Sequence, residues 1–294
     1  AVDAALVALR HTPLRIPAAA DSAWQTHVRE RADAVFNLCE GVGGDASAEA
    51  DVAAALESMN IPFTGAGAAA LALARRKDRV NLLLTGAVPV PAWTIAAPDA
   101  IAAWQDYPAI VKPAGEDAGI GITGAAIAAG PRELERAIDD ARAHTPLLVQ
   151  RFLSGIELVV GFVGATPLPV AEVDYAAMPD GMPRVVGYAA KWEAGSREDL
   201  GTTTRCPARI DEALAAQAVD TARDAWRAIG NRGYARVDLR ADQDGVLHVL
   251  DVNPNPDLAP DAGLARMAAA AGWSYGDLID RILRAAMSDA AGIR

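Results

Sequence analysis

At 294 residues, 52% hydrophobic and 22% charged, the chain has the composition of a globular protein long enough for two or three domains. A net charge of −11 argues against nucleic acid or an anionic membrane surface as a partner, since either would want a basic stripe. No apolar run approaches a membrane span and no basic-then-apolar leader opens the chain, while the two cysteines, Cys39 and Cys206, lie far apart in no metal spacing; these predict a reduced, cytoplasmic protein. The chain starts at Ala1 without a methionine, which leaves room for sequence upstream.

Residues 1–10 read as a helix and 14–17 as a short strand. The run A-V-F-N-L at 34–38 predicts a buried strand with Cys39 beside it in the core. A glycine-rich turn follows at 40–45, then an amphipathic helix over 49–59 and a short strand into a turn at 61–65. That order is the grammar of a small open α/β domain. The turn has neither P-loop nor dinucleotide spacing, so as a nucleotide motif it is weak. Glu40, at the C-terminal end of a strand, stands where open α/β sheets bind ligands, and substrate contact and a solvated loop weigh equally there. A long helix over 66–84 carries Lys77, which alone reads as a surface lysine; Gly86 and the P-V-P at 89–91 mark the clearest domain boundary.

Beyond it, a strand at 93–95 and a helix at 99–105 lead to the apolar strand A-I-V-K-P at 109–113 and a glycine-rich loop at 115–122. Lys112, ending a buried strand before glycines, suits phosphate: the ammonium meets charged oxygens while backbone N–H groups close over them. The alternative is a snorkelling lysine before an ordinary hairpin. After a helix at 133–142 comes L-L-V-Q-R-F-L-S-G-I-E at 147–157. Backbone and Gln150 there, with Phe152 and Leu153 following, suit adenine, and Glu157 suits ribose hydroxyls; the bland reading is a strand with a polar edge.

Strands are expected at 168–173 and 184–188, then a polar, flexible stretch at 191–206 that reads as a mobile lid carrying Lys191. A helix over 211–229 precedes the hairpin at 234–253, and a helix at 276–287 closes the chain. In the hairpin, Asp251 and Asn253 are two apart on one strand and Asp238 can fold against them. Two carboxylates and an amide oxygen make a hard-oxygen cluster suited to Mg²⁺ with bound phosphates. Otherwise Asp251 merely ends a strand before the rigid loop N-P-N-P.

In order, F-N-L-x-E-G, I-P-F-T-G, V-P-V-P, I-V-K-P with its glycine loop, L-V-Q-R-F-L-S-G-I-E, Y-A-A-K-W, A-R-V-D and D-V-N-P-N-P resemble the D-alanine–D-alanine ligase branch of the ATP-grasp superfamily. The resemblance implies a three-domain α/β (α+β) ATP-grasp fold with domains at 1–88, 89–165 and 166–294, and nucleotide clamped between the central and C-terminal ones. It implies a carboxylate–amine ligase forming a C–N bond, with small-molecule carboxylate and amine substrates, ATP and two Mg²⁺ ions, and a dimer as is common in the family. Carried over by position, Lys77, Lys112 and Lys191 would hold phosphates, and Gln150, Phe152, Leu153 and Glu157 the adenosine. Asp238, Asp251 and Asn253 would hold the metal, and Arg236 would stabilise the oxyanion of the tetrahedral intermediate.

Departures from the family pattern are one-sided. The glycine loop, usually G-S-S-V-G, has Ala118 in place of a serine and reaches Gly121 at the donor side. Glu40 replaces a histidine, Gln150 replaces a glutamate, and Asp257 and Ala262 stand where a glycine and a serine grip the acceptor carboxylate. The family's first strand, with its donor-binding glutamate, has no counterpart. The expected activity is therefore ligation of substrates other than two D-alanines. A genuine D-alanine–D-alanine ligase, a small-molecule kinase and an inactive nucleotide binder are the alternatives.

Overall fold

The computed structural model describes residues 1–115, 122–144, 146–230 and 232–292. Its N-terminal part holds α1 (Val2–Ala8), α2 (Ala23–Arg31), α3 (Ala48–Ser58), α4 (Ala68–Ala74) and α5 (Lys77–Leu84). Next come β1 (Trp93–Ile95), α6 (Pro98–Ala102), β2 (Ala109–Pro113), β3 (Ile127–Ala128), α7 (Pro131–Asp140) and β4 (Leu147–Arg151). The remainder runs β5 (Glu157–Val163), β6 (Thr166–Pro167), β7 (Ala171–Asp174), α8 (Tyr188–Trp192), α9 (Arg197–Gly201), β8 (Thr203–Arg205), α10 (Glu212–Ala228), β9 (Tyr234–Ala241), β10 (Leu247–Asn253), α11 (Gly263–Ala270) and α12 (Tyr275–Gly292).

Two antiparallel sheets organise these elements. The smaller has the order β1-β4-β2-β3; the larger has the order β10-β9-β5-β7-β8, with β6 on β5. The strand at 157–163, on the central side of the expected 165 boundary, hydrogen-bonds into the larger sheet. It is buried at every position, which explains its unbroken apolar run. Leu158, Val160 and Phe162 pack with α10, where Phe162 stacks on Trp226 with ring centres 5.1 Å apart. Val159 and Val163 point the other way, into the cluster of Leu264, Met267, Leu278 and Ile282. Gly161 lets α11 approach, because a Cβ there would lie 2.8 Å from Leu264 Cδ1. Asp211 caps α10 by accepting from the Leu214 N–H at 2.8 Å.

Several expected elements differ. The strand at 34–38 reduces to one parallel bridge, Val35 to Phe63. Side chains take over the next ladder positions: the Asn37 N–H donates to Thr64 Oγ1 and the Cys39 N–H to Asn37 Oδ1. Residues 14–17 form no strand. The single helix expected over 66–84 is α4 and α5, broken where Arg76 leaves helical geometry (φ −115°, ψ 86°). The Lys77 N–H, beginning the new helix, donates to Ala114 O at 2.9 Å and ties this segment to the smaller sheet. Residues 184–188 are not a strand: the chain turns into α8 as the Tyr188 N–H reaches Ile122 O at 3.2 Å. The polar stretch at 191–206 is ordered as the end of α8, α9 and β8, and Arg205 of β8 pairs with Glu172 and Asp174.

Candidate nucleotide and metal site

The β9–β10 hairpin pairs Asp251 with Asp238 and Asn253 with Arg236, after a register shift between Val249 and Asp251. Straight alternation would place Asp251 on the same face as Leu247 and Val249, which are core residues. The bulge supplies one extra residue, so Val252 takes the core face while Asp251 and Asn253 turn to the other. The Arg236 guanidinium forks onto Asp238, with Nε to Oδ1 at 2.9 Å and Nη2 to Oδ2 at 3.1 Å. Asp238 in turn raises the pKa of Arg236. Asn253 Oδ1 accepts from the Asn255 N–H at 3.0 Å.

Four cations act on the charge of Asp251. Burial alone would raise its pKa, but Lys77, Lys191, Lys112 and Arg236 together hold it below the usual carboxylate range. They come from four separated parts of the chain: the first residue of α5, the strand β2, the end of α8, and β9. Lys112 is itself drawn down to about 8, chiefly by burial, with Lys77 and Arg240 adding to the effect and Asp251 and Glu157 opposing it. Its Nζ donates to Gln150 Oε1 at 2.9 Å. Among the described residues no group of three or more His, Cys, Asp or Glu side chains gathers. Two facing carboxylates with an amide oxygen nevertheless fit Mg²⁺, which takes one or two protein carboxylates and completes its shell with phosphate oxygens and water.

Beside this charged end lies an aromatic one. Glu157 is buried and accepts from the Tyr175 hydroxyl at 2.8 Å and from Arg240 Nη1 at 3.1 Å. The Arg240 guanidinium also donates through Nε to Gly155 O and lies 5.1 Å from the Phe152 ring centre and 5.6 Å from that of Tyr175. Burial raises the pKa of Glu157 against the pull of Arg240. Leu153 is buried too. Tyr175 and Arg240 are absent from the sequence-based set; Arg240 was findable, since it follows Arg236 and Asp238 at two-residue spacing on one strand face.

The expected substrate residues Glu40 and Asp257 line a separate cavity of about 540 Å³ with Arg15, Asn37, Tyr234 and Asn255. Asn255 bridges to the N-terminal part, donating through Nδ2 to Glu49 Oε1 at 2.9 Å and accepting from the Ala66 N–H at 3.1 Å. The Tyr234 hydroxyl is held well above its ordinary pKa by burial, then by Glu49, Glu40 and Asp257. The cavity is thus acidic. The glycine loop at 116–121, with Ala118 and Gly121, lies outside the described residues.

Residues 91–284 match the family model described as the D-ala D-ala ligase C-terminus. The chain belongs to the D-alanine–D-alanine ligase family. It is 31% identical to D-alanine–D-alanine ligase B of Chromobacterium violaceum, over 85% of this chain and 79% of that protein. It is 34% identical to the D-alanine–D-alanine ligase of Pseudoalteromonas translucida, again over 85% and 79%. Among solved structures, the ATP complex of the Bacillus anthracis D-alanine–D-alanine ligase superposes with a TM-score of 0.68 at 18% identity, covering 92% of this chain and 85% of that one. The VanG D-Ala:D-Ser ligase of Enterococcus faecalis gives 0.67 at 21% identity, covering 83% and 71%. These likenesses show the ATP-grasp fold. As a family member the chain is an ATP- and Mg²⁺-dependent, ADP-forming ligase that makes a C–N bond. Among the described residues no helix is long and apolar enough to cross a membrane.

Proposed function

We propose that this D-alanine–D-alanine ligase relative activates a carboxylate as an acyl phosphate and joins it to an amine, in the cytoplasm, with substrates other than two D-alanines. The observation that carries the chemistry is the placement of Asp251 opposite Asp238, which the Arg236 guanidinium grips, with Lys77 lining one pocket with Asp251, and Lys112 and Lys191 acting on its charge. Bound Mg-ATP supplies the phosphoryl group. The lysines would neutralise its oxygens, Lys191 reaching in from the end of α8, and Asp238, Asp251 and Asn253 would hold the metal. The substrate carboxylate takes the γ-phosphoryl and ADP leaves; the amine nitrogen then attacks the acyl carbon, loses a proton and expels phosphate. Arg236, held by Asp238, offers a fixed guanidinium to the oxyanion formed in that second step. Adenosine would lie between the two sheets against Phe152, Leu153, Gln150 and Glu157, with the smaller sheet as one half of the clamp and the larger sheet, which takes in residues 157–163, as the other.

The acidic cavity supports the altered substrates. Glu40, Glu49 and Asp257 gather around the Tyr234 hydroxyl, where a second amino acid's free carboxylate would meet like charge. A cationic or hydroxyl-bearing acceptor suits it better. Phosphate release from Mg-ATP over D- and L-amino acids and amines, singly and in pairs, with mass spectrometry of products, tests this. Release only with a pair, giving a condensed product, is expected. D-alanyl-D-alanine as the main product would refute the altered specificity, and release with one compound that becomes phosphorylated would refute the ligase.

A further inference from the structure

Asn253 opens the run Asn253-Pro254-Asn255-Pro256, in which the Asn255 N–H donates back to Asn253 Oδ1 at 3.0 Å. A backbone N–H can only donate, so this bond fixes which amide atom of Asn253 is the oxygen. It takes one of that oxygen's two lone pairs and leaves the other for a cation. Both asparagines precede a proline, which biases them toward extended backbone, and Pro254 and Pro256 are themselves buried. The loop is therefore stiff, and a shift of Asn255 carries Asn253 with it.

Any residue at 255 would supply that N–H, but only the asparagine side chain decides where it points. Its Oδ1 accepts from the Ala66 N–H at 3.1 Å, and its Nδ2 donates to Glu49 Oε1 at 2.9 Å. Each amide atom has a partner of the matching kind, so turning the amide over would lose both bonds. Both partners belong to the N-terminal part of the chain, Glu49 in the first turn of α3 and Ala66 just ahead of α4. Gly65 makes this approach possible, because a Cβ there would run into Asn255 Oδ1.

We infer that Asn255 is a positioning residue for the Mg²⁺ site: its amide pins the loop to Glu49 and Ala66, and the pinned loop aims Asn253 Oδ1 at the ion. The N-terminal part thereby sets the strength of a metal site built on the larger sheet. This rests on the metal site proposed above and concerns only what orients one of its ligands. Groups that hold a metal ligand in place contribute strongly to metal affinity without touching the ion.

The test reads the factor by which Mg²⁺ tightens ADP binding, measured by titration calorimetry without any amino acid substrate. Asn255→Ala is expected to cut that factor about tenfold and to leave ADP affinity without Mg²⁺ nearly unchanged; a merely structural role would weaken both alike. In an Asn253→Ala background, Asn255→Ala is expected to change nothing further, because the ligand it aims is gone. Glu49→Ala, which leaves the loop sequence intact, is expected to act in the same direction as Asn255→Ala. Glu49→Gln still offers an oxygen to Asn255 and is expected to behave as the native protein does. A loss of less than about threefold in Asn255→Ala, or an undiminished loss in the Asn253→Ala background, would overturn the role of Asn255. If Asn253→Ala leaves the Mg²⁺ factor at its native value, the metal site itself is overturned. Thermal unfolding checks each variant; should Asn255→Ala fail to fold, the contrast between Glu49→Ala and Glu49→Gln decides, and no difference between them would overturn the inference.

Discussion

Asp251 faces Asp238 across the β9–β10 hairpin, although simple alternation from Val249 would have turned it into the core. The bulge that frees it also places it within the field of Lys77, Lys191, Lys112 and Arg236. Asp251→Asn keeps the shape and removes the charge that balances these cations. Its turnover is expected to fall by about 100-fold or more, because the metal loses a carboxylate just where charge migrates. Nucleotide binding without Mg²⁺ should survive or strengthen, since the cations then face the phosphates unopposed. Comparing ADP affinity with and without Mg²⁺ checks this, and an Asp251→Asn protein with native turnover would remove Asp251 from the metal site.

Lys112 gives the protein a pH signature. Its pKa in the folded protein is about 8 against an ordinary value of 10.5, so between these values the unfolded chain holds more protons than the native one. Stability of the nucleotide-free protein should therefore rise with pH across that window. Phosphate oxygens beside the ammonium would reverse the shift, so binding at pH 8 to 9 should take up a proton. Titration calorimetry in buffers of different ionisation enthalpy measures that uptake, and Lys112→Met should abolish it.

Much of this was legible in the sequence, and the failures have physical causes. The β9–β10 hairpin and α10 announce themselves by alternation and by the Asp211 cap, which are local signals, whereas β5, the centre of the larger sheet, was not among the expected strands. The strand at 34–38 was misread because a neighbouring segment pairs with it only at Val35, while side chains satisfy the N–H groups of Asn37 and Cys39. The break between α4 and α5 was invisible because it is fixed by the bond from the Lys77 N–H to Ala114, far away in sequence. In the site, the closeness of Asp238 to Asp251 was readable from the hairpin pattern, whereas Tyr175 is placed by contacts with Glu157 and Arg240 from distant parts of the chain.

Glu157 and Arg240 form an ion pair of 3.1 Å with both side chains nearly sealed from water. Removing one partner strands the other, so Arg240→Met should lower stability by about 3–5 kcal/mol. Burial already raises the pKa of Glu157, so the abandoned carboxylate should take up a proton, and part of the loss should return as the pH is lowered. Replacing both partners with methionine should recover most of the stability. Urea unfolding at pH 5 and pH 8 measures each effect; equal stability for Arg240→Met and the native protein would show that the pair is not coupled.

Gly233 and Gly65 hold the N-terminal part against the larger sheet by backbone contact. Gly233 has φ +76°, and a Cβ on it would lie 2.9 Å from the Gly65 backbone nitrogen and oxygen. Gly233→Ala combines a disfavoured conformation with a clash against backbone that cannot rotate away, so a loss of about 2–4 kcal/mol is expected. The same change should loosen the neighbouring contacts of Arg232, which lies 4.2 Å from the Phe63 ring centre and donates to its carbonyl. Amide exchange should then rise around residues 61–66 before it rises in β5.

The acceptor end can be tested by giving back what the family pattern has there. Asp257 lines the acidic cavity, and Ala262 is the N-cap of α11, a helix start with no side-chain cap. Asp257 is exposed, so its repulsion of an anion about 4 Å away is on the order of 1 kcal/mol, and Asp257→Gly should modestly ease entry of an amino acid's carboxylate. Ala262→Ser adds a hydroxyl that can bind that carboxylate and also cap the helix, which alone is worth about 0.5–2 kcal/mol of stability. The double variant is expected to gain D-alanine as an acceptor and to lose rate with the native one. A rise in stability without any gain of D-alanine would mean that the hydroxyl caps α11 but that specificity lies elsewhere, with Glu40 and Glu49 the next residues to replace.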